Sequence, residues 1–541
     1  MTADPGTLTS DLYGRIAEVL PHRPVEAGGG ELAERDLSAE PGLSLPDGFD
    51  RSLELIVAEL RWLAGEESAG LAHGELEERM LVDGREIQRL MLQDHLDLRA
   101  VQERRAEQVV DSGGVRHGNL EAGHERPLVT VFGEVRVGRI AYRARGQQNL
   151  YPADAVLNLP AEKHSHGLRR LAAVESARGS FEDALAALER ATGQPLAKRQ
   201  LEQLAQTSAV DFESFYAEQQ PPAATAEPGD ALVLSCDGKG IVMRNDALRP
   251  ATQKQAASST SKLKTRLSKG EKRNRKRMAE VGAVYETTPV ARSVADVLPA
   301  NDAERAAAVA APAAKNKWVT ASVTQDAQAV VAQIFDEAER RDPDHQRAWV
   351  ALVDGNNHQI NRIKTEAKTR ELPITIVLDF VHVLEYLWKA AWCFYAEGDP
   401  AAELWVRCHA QQILAGHATR VAGAIRRAAT NAGLDPDKRA GADSCADYLT
   451  RKVRYLDYPT ALRKGWPIAT GVIEGACRHL VRDRMDITGA RWGLDGAEAI
   501  LKLRALNTNG DFDHYWSYHL TKEHRRVHQS RYANNPVLCP A

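Results

Sequence analysis

Two aspartates in the sequence each follow a run of apolar residues and precede a glycine. Asp237 comes after Ala231–Cys236, and Asp354 comes after Ala348–Val353. Such runs predict buried strands, and in an open α/β sheet ligands gather where neighbouring parallel strands end. Paired carboxylates suit Mg²⁺, and two such ions about 4 Å apart can activate a water or a 3′-hydroxyl for phosphodiester chemistry. A single aspartate here is as often a turn or helix-cap residue, whereas two in this order favour a metal site.

A third acid, Glu474, lies in the segment Gly471–Arg484. Helical spacing places Arg478 and Arg482 on the same face as Glu474, four residues apart each time. One interpretation is an ion-paired surface face, which is the usual meaning of such a pattern. The other assigns Glu474 to the metal and the two arginines to phosphate groups of a nucleic acid.

The segment from Lys262 to Arg277 contains nine Lys or Arg residues against one Glu. We predict a loop or helix there, between the first two strands, that binds phosphates without reading sequence. The alternative is a solvated insertion. Trp492 could stack on an unpaired base, although a core tryptophan is the commoner explanation. The predicted nucleic-acid-binding residues are Lys239, Lys262, Lys264, Arg266, Lys272, Arg273, Arg275, Lys276, Arg277, Arg478, Arg482, Arg484 and Trp492.

The elements that must position the acids follow the order strand, strand, strand, helix, strand, helix, strand. Apolar runs without alternation indicate strands covered on both faces, and hence an α/β sheet. Thr324 is expected to cap the helix Asp326–Arg340. The chain is predicted to be helical from Val381 to about Leu462. The predicted strands are Ala231–Cys236, Ala283–Val290, Trp318–Val323, Ala348–Val353 and Ile374–Leu378.

The amino-terminal half shows different patterns. Residues 1–50 are acidic and rich in Gly and Pro, so we expect loose order. Helical spacing over Asp50–Gln108 predicts two or three helices, followed by a break at Asp111–Gly123 and a β-hairpin in Pro127–Arg143. Residues 165–218 are again helical, with a break at 192–193 that fits either a helix-turn-helix or an ordinary helical hairpin. A linker at Gln220–Gly229 follows.

The charge of the chain is unevenly distributed. Residues 1–100 carry 21 acidic and 9 basic side chains, a net charge of −12, so the other 441 residues sum to +8 although the whole chain is −4. The six cysteines lack zinc-ribbon spacing and are expected to be small buried residues in a reducing compartment. Neither a secretory signal nor a membrane-spanning run is evident, which predicts a cytoplasmic protein. The tail histidines His514, His519, His524 and His528 are expected at the surface or facing DNA.

Several short motifs follow one another along the chain in a fixed order. They are Asp237-Gly-Lys-Gly, Val353-Asp354-Gly-Asn, Leu378-Asp379-Phe-Val-His382-Val-Leu-Glu-Tyr-Leu-Trp388, Gly471-Val-Ile-Glu474, Arg484, Gly489, Trp492-Gly493, Thr130-Val-Phe-Gly-Glu-Val-Arg-Val-Gly-Arg139, Tyr142-Arg143 and Leu157-Asn-Leu-Pro160. Together they resemble the DDE transposases of bacterial insertion sequences. The set resembles the ISKra group, with a layout similar to the Mutator-like enzymes, over roughly residues 125–510.

The resemblance implies a multi-domain chain with an RNase H-like α/β catalytic core and a helical insertion before the last acid. Asp237, Asp354 and Glu474 would be the catalytic residues and the ligands of two Mg²⁺ or Mn²⁺ ions. The activity would be cleavage at transposon ends and strand transfer into target DNA by a homodimer or larger assembly, in a nucleoid-associated bacterial protein. The implied divisions are 1–110 (acidic helices), 111–164 (β-hairpin), 165–220 (helical DNA-binding region), 230–380 with 465–506 (core), 381–464 (insertion) and 507–541 (tail).

Two departures from related groups accompany the resemblance. The chain has no Cys-rich DNA-binding ribbon, so recognition of the ends would fall to the amino-terminal helices and hairpin. Asp379 and His382 stand where Mutator-like enzymes place a Cys and a His, and Asp379 is the reserve candidate for the second acid. The alternatives are a non-catalytic descendant that binds inverted repeats and an RNase H-like nuclease without strand transfer.

Overall fold

A computed structural model of the chain describes residues 47–219, 229–258, 271, 275–487 and 489–533. The chain divides into two compact units, so the protein is multi-domain. Unit 1 comprises residues 1–175, 181–201 and 517–541, and unit 2 comprises residues 176–180 and 202–516. The segment 1–46, predicted to be loosely ordered, and the linker at 220–228 lie outside the described residues. No helix in the described ranges is long and apolar enough to cross a membrane.

Unit 1 contains a two-stranded antiparallel sheet packed on a long helix. The predicted hairpin is confirmed, but its first strand begins at Asn119, inside the predicted break, because His124 and its neighbours pair with the second strand. The hairpin and the helix share a small hydrophobic cluster, in which Leu96 of the helix packs with Leu128, Val135 and Val137 of the hairpin. The predicted helices before the hairpin are confirmed. The elements are α1 (Asp50–Leu63), α2 (Glu66–Ala69), α3 (His73–Val101), β1 (Asn119–Val129) and β2 (Glu134–Arg143).

The region from residue 165 to residue 218 is helical, as its periodicity predicts. Gly193 lies at the predicted break, with a φ of +68° that glycine adopts without strain. The helices are α4 (Pro152–Val156), α5 (His166–Arg178), α6 (Phe181–Thr192), α7 (Lys198–Thr207) and α8 (Phe212–Glu218).

Unit 2 is built around a mixed five-stranded sheet with the strand order β5-β4-β3-β6-β7. The strand β3 pairs with β4 in the antiparallel sense and with β6 in the parallel sense, and β7 continues the parallel part. The predicted order of the five strands and the α/β class are therefore confirmed, whereas the helices between the first three strands were not predicted. The strands are β3 (Ala231–Val242), β4 (Lys276–Thr287), β5 (Ala314–Ser322), β6 (Trp349–Val353) and β7 (Ile374–Leu378).

Helices cover the sheet, which explains the unbroken apolar runs of β3 and β6. The helix α12 buries Val331, Ile334 and Phe335 against the strands. Its cap is Asp326, whose carboxylate accepts from the Ala329 N–H at 2.9 Å. The predicted cap, Thr324, is wrong. The helices between the strands are α9 (Pro250–Ala257), α10 (Val294–Val297), α11 (Asp302–Ala307), α12 (Ala327–Arg341) and α13 (Asn357–Thr369).

The region after β7 is helical, as predicted. One hydrophobic cluster runs from Val233 in the sheet through Leu387 to Leu449, so these helices pack directly on the core of the sheet. They are α14 (Phe380–Ala391), α15 (Pro400–Leu414), α16 (Ala418–Asn431), α17 (Ala440–Arg451) and α18 (Tyr458–Arg463).

The carboxyl-terminal part is also helical and contains one π turn. The helix α19 (Gly471–Ala476) continues through a π-helical segment (Cys477–Arg482) into α20 (Asp483–Met485), and α21 (Leu494–Asn509) and α22 (Phe512–Val527) follow. The predicted surface position is wrong for His519 and His528, which are 0% and 5% exposed. His519 contacts Glu523, and His528 contacts the Leu159 carbonyl at 2.7 Å, so both rings contribute to the interior of unit 1.

Candidate active site

Asp237 lies inside β3 and not after its end, which corrects the predicted strand boundary. The strand continues to Val242 because β4 pairs with it along its full length, with Asp237 opposite Val281. A Cβ at Gly238 would lie 3.1 Å from the Met278 side chain, so the absence of a side chain at Gly238 leaves space for Met278 of β4. The parallel partner β6, by contrast, pairs with β3 only as far as Leu234. Asp237 therefore projects beyond the end of the parallel part of the sheet.

Three aspartates lie at one level across three adjacent parallel strands. Leu234 pairs with Ala351, and Asp237 and Asp354 each follow three residues later. Val353 pairs with Leu378, and the next residues are Asp354 and Asp379. Because neighbouring strands are about 4.8 Å apart, the register brings these side chains to one edge of the sheet. The structure thus brings Asp237 and Asp354 together, as the sequence predicts.

The carboxylate of Asp237 is half-buried and has two partners. Its Oδ1 accepts from the Gly238 N–H at 2.7 Å, and its Oδ2 accepts from the Cys477 thiol at 3.4 Å. Burial raises the pKa of Asp237, and the negative charge of Asp354 raises it further, while Lys239 acts in the opposite direction. The Cys477 contact ties the π segment to the sheet, and the sequence carries no signal for it.

The backbone around Asp354 forms a tight loop between β6 and α13. The Oδ1 of Asp354 accepts from the Asn356 N–H at 2.8 Å. Gly355 has a φ of +96°, and a Cβ there would lie 2.6 Å from the Tyr448 hydroxyl oxygen, so only glycine fits this position. The Tyr448 hydroxyl donates to the Asp354 carbonyl at 3.1 Å, and Lys452 donates to the Asn357 side chain. The sequence carries no signal for Tyr448 and Lys452, because the periodicity of this region indicates only helices.

Asp379 is 3% exposed, and its carboxylate already serves as a structural acceptor. It caps α14 by accepting from the Val381 N–H at 3.0 Å. It also accepts from the Thr470 hydroxyl at 2.6 Å, while the Thr470 N–H lies 3.4 Å away. These hydrogen bonds hold the start of α19 against the end of β7.

Glu474 is exposed, one helical turn after Thr470. The Thr470 hydroxyl lies 3.3 Å from the Glu474 carboxylate, but its single proton goes to Asp379 across the shorter contact. The charges of both Asp237 and Glu474 raise the pKa of the Cys477 thiol, after the larger effect of burial. Glu474 therefore lies on a helical segment that contacts Asp379 through Thr470 and Asp237 through Cys477.

The helix that carries Glu474 widens into a π turn at Cys477–Arg482. Glu474, Arg478 and Arg482 are all exposed. Arg478 lies 3.6 Å from Asp483, and both side chains are solvent-accessible. The single face predicted for Glu474, Arg478 and Arg482 stays a prediction. Single π turns of this kind occur often at functional sites.

The predicted nucleic-acid-binding residues are found in three different environments. Lys239, Lys276, Arg478 and Arg482 are exposed. Arg275 and Arg277 are half-buried, and Arg277 donates to the Val323 carbonyl at 2.9 Å. Lys276 and Arg277 belong to β4, which corrects the predicted loop or helix at these positions. The others of the basic segment lie outside the described residues, namely Lys262, Lys264, Arg266, Lys272 and Arg273.

Arg484 and Trp492 lie in the interior of unit 2. Arg484 is 2% exposed and donates to the Ser176 carbonyl at 3.0 Å. Its guanidinium lies 4.8 Å from the centre of the Trp492 ring, and the indole N–H donates to the Met485 carbonyl at 3.0 Å. The structure therefore places both side chains in the core, where neither reaches a nucleic acid.

The donor chemistry of the aspartate pair fits a divalent cation. Asp237 and Asp354 supply carboxylate oxygens, the ligands that Mg²⁺ prefers. Burial and, to a smaller extent, the negative charge of Asp354 raise the pKa of Asp237, and a cation between the two carboxylates would offset their repulsion. Within the described ranges, no three His, Cys, Asp or Glu side chains lie close enough together to bind one metal ion. Glu474 therefore does not form a three-ligand site with Asp237 and Asp354 in this structure.

No protein-family model matches the chain, and no curated protein matches it significantly.

Proposed function

We propose that the protein is a DDE transposase that cleaves DNA at transposon ends and joins them to target DNA with the help of divalent metal ions. The observation that carries this proposal is the common level of Asp237 and Asp354 on adjacent parallel strands. Glu474 supplies the third acid from a helix that contacts Asp237 through Cys477. The mixed five-stranded sheet, with acids at its edge and a helical insertion before the last acid, supports an RNase H-like core.

The acids have separate tasks in this proposal. Bound Mg²⁺ or Mn²⁺, two ions in all, would activate a water or a 3′-hydroxyl and stabilise the leaving oxygen. Asp237 and Asp354 would hold the metal from the sheet, where hydrogen bonds from Gly238 and Asn356 fix one oxygen of each carboxylate. Glu474 is exposed on α19 and would be the third carboxylate ligand.

Exposed basic residues on the segments that carry Asp237 and Glu474 would provide the contacts to DNA. Lys239 follows Asp237 by two residues, and Lys276 packs beside Gly240 at the same end of the β3–β4 pair. Arg478 and Arg482 are exposed on the turn that follows Glu474. Such side chains bind double-stranded DNA through its phosphates and make binding salt-dependent. A dimer would bring two transposon ends together.

A cleavage and joining assay tests the proposal. The substrate is a plasmid carrying the gene with its flanking inverted repeats, incubated with Mg²⁺ or Mn²⁺. Wild-type protein is expected to cut at the repeats and join the ends to a second plasmid, while Asp237→Ala abolishes both steps. The exposed Asp437→Ala is the matched control and should behave as wild type.

Each other outcome overturns the proposal. Cutting without joining would identify a nuclease, and binding to the repeats without cutting would identify a non-catalytic DNA-binding protein. Equal activity in Asp237→Ala would remove the assigned site.

A further inference from the structure

Two residues at the carboxyl-terminal end of α17, Tyr448 in its last turn and Lys452 directly after it, contact the Asp354 loop. Tyr448 and Lys452 lie one turn apart, and the Lys452 N–H donates to the Tyr448 carbonyl at 3.0 Å. The Tyr448 hydroxyl reaches the Asp354 carbonyl, and the Lys452 ammonium reaches the Asn357 side chain. The contacts thus join a helix of the insertion to both ends of the segment that begins with Asp354.

Tyr448 is held in place by other aromatic rings of the insertion. Its ring stacks on Tyr386 of α14, with ring centres 4.1 Å apart and planes 14° apart. The His382 ring lies 6.3 Å away in an edge-on arrangement. Stacked aromatic pairs of this kind add stability beyond the area that they bury. The stacked ring therefore holds the Tyr448 hydroxyl next to the loop. The hydroxyl fits there because Gly355 has no side chain.

Lys452 is a buried cation, with 7% of the residue exposed. Burial of an ammonium group is costly unless it is hydrogen-bonded, and the Asn357 side-chain oxygen accepts from it. Asn356, the residue before, caps α13 by accepting from the His358 N–H at 2.9 Å. The loop is thus fixed from the side of α13 as well as from α17. These contacts hold the backbone of the loop on both sides of Gly355.

We propose that Tyr448 and Lys452 are positioning residues that place the Asp354 carboxylate for metal binding. Through them the helical insertion sets the metal affinity of the sheet edge. This inference rests on the proposed function, because it assigns a metal ligand role to Asp354. Outer residues that orient metal ligands change metal affinity by about 10- to 100-fold when they are replaced.

Metal binding in the absence of DNA provides the test. Mn²⁺ binding to the full chain is followed by electron paramagnetic resonance for wild type, Tyr448→Phe and Lys452→Met. Both variants are expected to bind Mn²⁺ about 10-fold more weakly. The cleavage assay should show a matching rise in the Mn²⁺ concentration for half-maximal rate, with kcat at saturating Mn²⁺ changed much less.

Arg451→Met is the matched control for Lys452→Met, because Arg451 is its neighbour but has a side chain that is 78% exposed and paired with Asp447. It should bind Mn²⁺ as wild type does. If both test variants bind Mn²⁺ with wild-type affinity, the inference is wrong. A lower Tm in these variants with unchanged Mn²⁺ affinity would show that Tyr448 and Lys452 only stabilise the fold. Failure of the wild-type protein itself to bind Mn²⁺ would instead contradict the proposed function.

Discussion

Thr470 donates its hydroxyl proton to Asp379 across 2.6 Å, and the same threonine precedes the helix that carries Glu474. The carboxylate of Asp379 is therefore engaged in holding α19 and α14 to the sheet. Asp354 carries no such contact from α19 and lies beside Asp237. The two aspartates consequently have different hydrogen-bond partners, although both follow a parallel strand.

Replacing Asp379 should affect stability, whereas replacing Asp354 should affect activity. We expect Asp379→Asn to lower the free energy of unfolding by about 1 to 3 kcal/mol, because buried donors lose a charged acceptor. We expect Asp354→Asn to abolish cleavage, because it removes a carboxylate of the proposed metal site. We expect no loss of stability, because the substitution also removes a charge that repels Asp237. Urea unfolding and the plasmid assay measure the two effects. Loss of activity without destabilisation in Asp379→Asn would reverse the assignment.

The carboxyl-terminal end of β3 could not be predicted from the sequence. The apolar run Ala231–Cys236 predicts the start of the strand, but Gly238 and Gly240 are typical of a turn and suggested its end. In the structure, Met278 and Lys276 of β4 lie against these glycines and extend the pairing. This register depends on a strand about 40 residues later, which no local pattern specifies.

The candidate site shows the same limit. Strand-end patterns indicate both Asp354 and Asp379, but only the hydrogen bonds from Thr470 distinguish them. Helical periodicity predicts the insertion but not the contact of Tyr448 with the loop. Local patterns therefore identify the acids and their strands, while tertiary packing determines their partners.

Arg484 and Arg482 should respond differently to truncation. Arg484→Ala leaves a cavity and an unpaired Ser176 carbonyl, so we expect about 2 to 4 kcal/mol of destabilisation. Arg482→Ala removes an exposed side chain, so we expect unchanged stability but weaker DNA binding with a smaller salt dependence. Thermal unfolding and DNA binding at two salt concentrations separate these effects. An Arg484→Ala variant with full stability would contradict the buried placement.

Unit 1 should lose stability in mild acid through His166. Its Nδ1 faces the Arg169 guanidinium at 3.2 Å, and its Nε2 contacts the Asn158 carbonyl at 2.8 Å, so the neutral ring is preferred. Burial lowers the pKa of His166 from 6.5 to about 4. The unfolded chain therefore takes up the proton first as pH falls below 6.5, and the stabilisation is lost progressively towards pH 4.

The effect of His166 can be isolated by urea unfolding at pH 7 and pH 5. We expect wild type to lose about 1 to 2 kcal/mol more than His166→Gln over this interval. His73→Gln is the control, because the His73 side chain is 85% exposed. An equal pH dependence in wild type and His166→Gln would show that His166 is not the group responsible.

The cysteines should differ strongly in reactivity. Burial raises the pKa of Cys236, Cys445 and Cys477, whereas Cys408 is exposed. In a Cys539→Ser background, a thiol reagent at pH 8 should label Cys408 at least about 10-fold faster than the buried three. Peptide mapping by mass spectrometry gives the rates. Rapid labelling of Cys477 in the native protein would contradict its contact with Asp237.

Asp237 and Asp354 are expected to bind a divalent cation between them, and Fe²⁺ in its place can reveal that position. With ascorbate and peroxide, bound Fe²⁺ generates hydroxyl radicals that cut the nearby backbone, and mass spectrometry locates the cuts. We predict cuts close to Asp237 and Asp354, and excess Mg²⁺ should suppress them. The same cuts should occur in the control variant Asp437→Asn and should be absent from Asp237→Asn. Cuts confined to other parts of the chain, or an unchanged pattern in Asp237→Asn, would contradict the metal site.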